Sequence, residues 1–294
     1  MVKRRIYDSE ITLCELPESR RTIVDSYAKA LTEAAPCIGG HGMGEQEFWD
    51  SGLFYAAVEK LRGTHAATME QKKAFISFFL DIMKEKKLID SWSFEGSDER
   101  HDYQVNMPDG NVCIIEAKGC LDGNNTLIFQ RPTNADEFLI WSLCQNPGAD
   151  PRHNAWSGIH TRLSADMISR KEKVDAVIIW DALCGSAARY CPKLKDPSRG
   201  IEVGDKVYPP PCIFLFPRTT PDPRNNPNPP VWQLSQLSFV SNVAKAFGCD
   251  DSDVVEVRIA TRMEGSDVER QTSFYRSGEL VQESKWTKIK RART

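Results

Sequence analysis

The chain has 294 residues, 40% of them hydrophobic and 27% charged, with 18 Gly and 17 Pro. Those proportions exclude a chain disordered throughout and a collagen-like fibre, and the length is enough for one large domain or two small ones with a real core. The formal net charge of −3 hides an asymmetry: Lys3, Arg4 and Arg5 near one end and Lys285, Lys288, Lys290, Arg291 and Arg293 near the other have no acid among them, so the acidic excess lies between. Basic ends on an acidic body fit a nucleic-acid or acidic-surface partner, and equally well solvated tails. None of the nine cysteines pairs as C-x-x-C and the five histidines form no H-x-x-x-H, so the spacing gives a zinc site little support. Cys113, Cys144 and Cys212 stand in apolar runs and read as small core residues of a reducing compartment. Lys3-Arg4-Arg5 is not followed by an apolar stretch, and no run of ~18 apolar residues occurs. A cytoplasmic protein without signal peptide or membrane partner is expected.

In chain order, apolar residues at helical spacing (Ile23, Tyr27, Ala30, Leu31) predict a helix over 22–35. A second runs from Glu45 to Leu61 and stops at Gly63, and a third opens on the capping-box pattern Thr68/Gln71 and carries Phe75, Phe78, Phe79 and Ile82. The period then changes to that of strands at 92–94, 101–107 and 112–118, the last two joined by the turn Pro108-Asp109-Gly110. Helices are expected near 134–145 and 161–172, an apolar strand at 174–180, a long loop at 184–210 and a short strand at 213–216. The proline-rich stretch 217–230 is either a linker or an ordered functional loop. A helix over 232–247 and strands at 253–262, 268–275 and 279–286 complete the chain. This order is α/β: a mixed central sheet flanked by helices, with a mainly helical portion over 1–90, a core over 91–216, the proline-rich loop, and a last portion over 231–294 ending in a basic arm, all in one domain.

The chemistry concentrates between His101 and Lys118. A three-residue loop at 108–110 pairs Met107 with Asn111, so facing residues sum to 218 and Asp102 lies opposite Glu116, with Cβ atoms ~5 Å apart. Glu116 and Lys118, two apart on a strand, point to one face. Two carboxylates held that close repel unless a cation sits between them, and a hard divalent ion with oxygen ligands, Mg²⁺, is the natural occupant. The lysine beside it can orient a water or neutralise a phosphoryl oxygen. Three other E-x-K triplets occur. Glu70/Lys72 and Glu85/Lys87 sit on helices and read as solvated surface; for Glu283/Lys285 a turn at Ser277-Gly278 pairs Arg276 with Glu279 and sets Glu283 opposite Thr272, away from Asp267.

Asp102-x(13)-Glu116-Ala117-Lys118 across a strand–turn–strand, with helices before it and helices and an apolar strand after it, resembles the PD-(D/E)xK nuclease superfamily, and a chain of this size without ATPase motifs resembles a type II restriction endonuclease. The resemblance covers about eighteen residues plus the element order over roughly 45–180. It implies a restriction-endonuclease-like core; metal binding by Asp102, Glu116 and the Ala117 carbonyl; a Lys118 that assists the attacking water; double-stranded DNA as partner; and a homodimer whose two-fold matches a palindrome. Many relatives place a further acid on the preceding helix, where Glu45, Glu47 and Glu59 stand, Glu47 being the best placed. The literal Pro108-Asp109 pair is read as turn chemistry.

Secondary candidates are Asn124, Asn125, Gln130 and Arg131, whose side chains suit bases or phosphates; Arg152, His153, Arg162, Arg170 and Lys171, as backbone-tracking charge; and Lys285 and Lys288 beside Trp286, as a DNA arm. Each is equally compatible with ordinary surface polarity, as His101 is with a structural role. The run Gly39-Gly40-His41-Gly42-Met43-Gly44 could hold a phosphate but lacks the Gly-Lys-Ser/Thr of a nucleotide-binding loop, so no nucleotide cofactor is expected.

Overall fold

Ten strands share one mixed sheet in this computed structural model, which describes residues 18–54, 56–57, 69–95, 102–119, 131–144, 157–181, 190–191, 194, 196–203 and 206–289. Before the sheet come α1 (Glu18–Ala34), α2 (Glu45–Asp50) and α3 (Met69–Glu85). β1 (Ser91–Phe94), β2 (Tyr103–Asn106) and β3 (Val112–Gly119) form an antiparallel meander. β4 (Glu137–Cys144) lies parallel to β3, and β5 (Ala176–Asp181), reached through α4 (Ser157–Arg170), lies parallel to β4. A separate two-stranded ladder, β6 (Ile201–Val203) with β7 (Lys206–Tyr208), precedes β8 (Cys212–Leu215), which is antiparallel to β5. The chain then passes through α5 (Ser238–Ala246) to β9 (Val254–Glu264), parallel to β8, and finishes with β10 (Asp267–Arg276), β11 (Glu279–Glu283) and β12 (Thr287–Lys288). The strand order is β1-β2-β3-β4-β5-β8-β9-β10-β11, with β12 also on β10.

The central strands of the sheet are buried on both faces. On one, Phe79 of α3 and Val240 and Val243 of α5 join Ile115, Trp141, Ile178 and Trp180; on the other, Leu163 and Met167 of α4 join Ile114, Ile140, Ile179 and Phe214. Burying each such side chain contributes ~1.5–3 kcal/mol. Glu137 anchors α5 from below: its carboxylate accepts from the N–H groups of Phe239 (2.9 Å) and Val240 (3.4 Å), the free donors of a helix start. Burial nevertheless pushes its pKa up to about 7.

Several expectations are corrected. The segment 134–145 is not a helix: Phe138 to Leu143 is covered on both faces, and such a run, apolar but for Ser142, suits a central parallel strand. The helix from Glu45 stops at Asp50, where Gly52 takes a left-handed φ of +73°, although residues 53–54 and 56–57 are again helical. The helix expected over 232–247 is a short 3-10 turn, Leu234–Gln236, followed by α5. The loop expected over 184–210 contains β6 and β7. The proline-rich stretch is ordered and not a linker: Arg218 N–H bonds to Pro230 O (2.8 Å) and Thr261 N–H to Pro227 O (2.9 Å), tying it to β9. Arg276 does pair with Glu279, but a bulge at Phe274/Tyr275 sets Glu283 opposite Ser273 instead of Thr272.

His160 of α4 is wholly buried against the rings of Phe214, Phe216 and Phe274, and neither ring nitrogen has a partner among the described residues. Burial lowers its pKa to about 3. The unfolded chain therefore takes up a proton below pH 6.5 that the folded chain refuses, and stability falls as pH drops from 6.5 toward 3. Urea melts should show His160 contributing about 2 kcal/mol of stability loss between pH 7 and pH 5. The His160→Leu protein should lack that part and be the more stable at both pH values, having no orphaned nitrogens. An unchanged pH slope in the variant would contradict this.

Candidate active site

The β2–β3 hairpin has the register read from its turn. Tyr103 pairs with Ile115, Val105 with Cys113 and Asn106 with Val112, each pair summing to 218. The turn closes by Met107 N–H to Asn111 O and Gly110 N–H to Met107 O, both 2.9 Å, with Gly110 at φ +84°. Asp109 serves this turn: its carboxylate accepts from Ser238 Oγ (2.6 Å) and from Asn111 N–H (3.0 Å), which lower its pKa. It stands at the opposite end of the hairpin from Glu116.

One step beyond Tyr103–Ile115 the same register sets Asp102 against Glu116. Asp102 is 8% exposed and Glu116 6%. The alternation that sends Cys113, Ile115 and Ala117 to the α3/α5 side turns Ile114, Glu116 and Lys118 toward the α4 side. Asp102 Oδ2 accepts from Ala117 N–H (2.7 Å), continuing the ladder with a side chain. In an antiparallel ladder a residue's N–H and C=O leave the strand on one edge, so the Ala117 carbonyl also faces the Asp102 side. Lys118 Nζ donates to Glu116 Oε1 at 2.7 Å, both side chains being largely covered.

Three further residues escaped the sequence reading. Lys72, expected on a solvated helix surface, is 7% exposed, and its charge acts on Glu116. Its positions relative to Phe75, Ile76 and Phe79 (i, i+3, i+4, i+7) were the available signal, because they put it on the buried face of α3. Tyr103 fastens that helix to the hairpin by donating to Lys73 O (3.3 Å), and its burial pushes the phenol up to about 12. Ser142 pairs with Lys118 across β3–β4; it is buried, and its Oγ has no partner among the described residues.

Burial is the largest influence on Glu116. It raises the carboxyl to about 7 against the lowering effect of Lys118, while Asp102 raises it further and Lys72 lowers it. A cation would relieve that cost, and the donors suit a hard one: two carboxylates and a carbonyl, all oxygen. No group of three His, Cys, Asp or Glu able to hold a metal stands together among the described residues. The protein's third donor there would be the Ala117 carbonyl, with water completing the shell, as Mg²⁺ tolerates.

The remaining candidates are dispersed. Glu45 and Glu47 are exposed on α2. Arg131 is engaged internally, pairing with the buried Asp175 and donating to the Ala135 carbonyl (3.0 Å). Lys285 is exposed, Lys288 donates to Asp267 (2.9 Å), and Arg170 and Lys171 are exposed at and just beyond the end of α4. Glu59, His101, Asn124, Asn125, Gln130, Arg152 and His153, and the side chain of Arg162, lie outside the described residues. No family model, curated protein or solved structure matches the chain. Among the described residues, no helix is long and apolar enough to cross a membrane.

The raised Glu116 pKa has a definite sign. Between the ordinary glutamate value of 4.5 and about 7, the folded chain holds a proton that the unfolded chain has released. This contribution is therefore full below 4.5 and lost as pH rises to 7. In metal-free buffer, thermal melts should show Glu116→Gln removing part of the wild-type loss of stability between pH 5 and pH 8; parallel curves would contradict the assignment.

Proposed function

We propose that the chain is a Mg²⁺-dependent endonuclease of the PD-(D/E)xK type that hydrolyses phosphodiester bonds of double-stranded DNA. The observation that carries this reading is the pair of buried carboxylates, Asp102 and Glu116, facing each other across a hairpin with the Lys118 ammonium 2.7 Å from Glu116. Asp102, Glu116 and the Ala117 carbonyl would hold the ion, which when bound supplies Lewis-acid polarisation of the phosphoryl group. Lys118 would orient the attacking water and offer a proton or positive charge to a phosphoryl oxygen, and Glu116, by holding the Nζ, keeps that ammonium aimed. Burial of the cluster strengthens each of these charge interactions by excluding bulk water.

Site-specific cutting and a two-fold homodimer follow from the resemblance to restriction endonucleases, as does the DNA partner. The elements depart from the expected ones, since β4 is a strand where a helix was anticipated near 134–145; the reading rests chiefly on the hairpin itself. A specific observation favours a second reading. Asp102 Oδ2 is satisfied by Ala117 N–H and Glu116 Oε1 by Lys118, so the cluster can serve as an ion-pair network of a non-catalytic DNA-binding module.

Incubation with plasmid and phage DNA separates the two. Discrete fragments are expected with Mg²⁺ and none with EDTA, with the rate reduced about 10²–10⁴-fold in Lys118→Ala. Mg²⁺ should also raise the melting temperature of the wild type and leave that of Asp102→Asn unmoved. Cleavage confined to flaps or single strands would keep the cluster and point to a structure-specific or repair nuclease. Absence of cleavage on every DNA would favour the binding module, and full cleavage by Lys118→Ala would remove this cluster from the chemistry.

A further inference from the structure

The segment after β8 and the sheet face at β9–β10 enclose an open cleft of about 570 Å³, within the ~300–1,000 Å³ usual for small-ligand sites. It is separate from the carboxylate cluster. Val255, Val257 and Ile259 of β9 point into the core shared with α4, so alternation turns Glu256, Arg258 and Ala260 to the other face, away from Glu116. Four strand spacings, roughly 19 Å, also separate β9 from β3.

Two aromatic rings line the cleft, and each is fixed. The Trp232 indole N–H donates to the buried Asp175 (2.9 Å), and over the ring lie the Arg218 guanidinium, 5.0 Å from its centroid, and the Lys173 ammonium at 5.6 Å. Arg258 stacks on Tyr275 at 3.8 Å, held by two bonds to Glu256 (2.9 and 3.2 Å). Arg218, beside the lining where it lies over Trp232, is exposed and has no carboxylate partner among the described residues. Cations already occupy the ring faces, so a cationic guest is disfavoured. The complementary guest is flat, carries hydrogen-bonding edges for the amides of Asn228 and Gln233, and bears negative charge for Arg218.

We propose that this cleft binds a nucleotide unit, with the base laid on the Arg258 guanidinium that stacks on Tyr275 and the phosphate toward Arg218. The unit comes either from a free mononucleotide or from an unpaired stretch of a DNA strand. The site does not depend on the Asp102–Glu116–Lys118 chemistry, and the two are tested apart.

The experiment titrates the intact chain in EDTA with dAMP and, separately, with a short single-stranded oligodeoxynucleotide, following tryptophan fluorescence. Saturable binding is expected, weakened about tenfold by Arg218→Glu and by Tyr275→Ala, in proteins whose melting temperatures match the wild type. Lys118→Ala should bind dAMP as the wild type does, whatever its effect on cleavage. Binding of dAMP would identify the free nucleotide as the guest, and binding of the oligonucleotide alone an unpaired strand. No saturable binding of either ligand, or affinity unchanged in both cleft variants, overturns the proposal.

Discussion

A carboxylate with no solvent contact must find donors within the protein, and Asp175, at zero exposure, finds them in four residues. Its oxygens accept from Phe138 N–H at the start of β4 and from the Trp232 indole, and pair with Arg131 and Lys173. Its own N–H bonds to Phe138 O, and its carbonyl accepts from Phe216 N–H. One residue thereby sets the bottom of β4, β5 and β8 level and fixes the indole that walls the cleft. Removing a partner from such a buried charge costs ~3–5 kcal/mol, since the remainder is left uncompensated.

From that level end the parallel pairing of β3 with β4 carries the register upward to the other charged cluster, where Lys118 stands beside Ser142. The hairpin supplies the second constraint. Its turn is held by Asp109, which Ser238 also bonds from the residue that opens α5, so the register of β2 on β3 is coupled to helix packing as well as to the loop. A slip of one residue would move Glu116 and Lys118 to the apolar face beneath α3 and α5, which has no place for them. The carboxylates are thus brought together by backbone geometry, and their repulsion is tolerated because Lys118 and Lys72 offset part of it.

Where pattern reading erred, the cause was a tertiary one. Phe138 to Leu143 has no period of 2 because both faces of β4 are covered, and a short, almost wholly apolar run does not by itself distinguish strand from buried helix. Arg131 carries the charge of a phosphate contact but is claimed by Asp175, forty-four residues on. Glu283 misses its expected neighbour because a single bulge shifts the pairing by one.

The sequence by itself determined the local geometry: a three-residue turn whose glycine permits left-handed backbone, the pairing that sums to 218, and hence which carboxylates face each other and which lysine shares their side. These follow from the period of a strand and the length of a loop, quantities that depend on neighbouring residues alone. Only the tertiary structure decided how deeply that cluster is buried, that Lys72 comes to it from α3, and that the proline-rich segment folds over β9 to make a cleft. Burial and approach between distant segments depend on which surfaces cover which, and no local pattern in the chain encodes that.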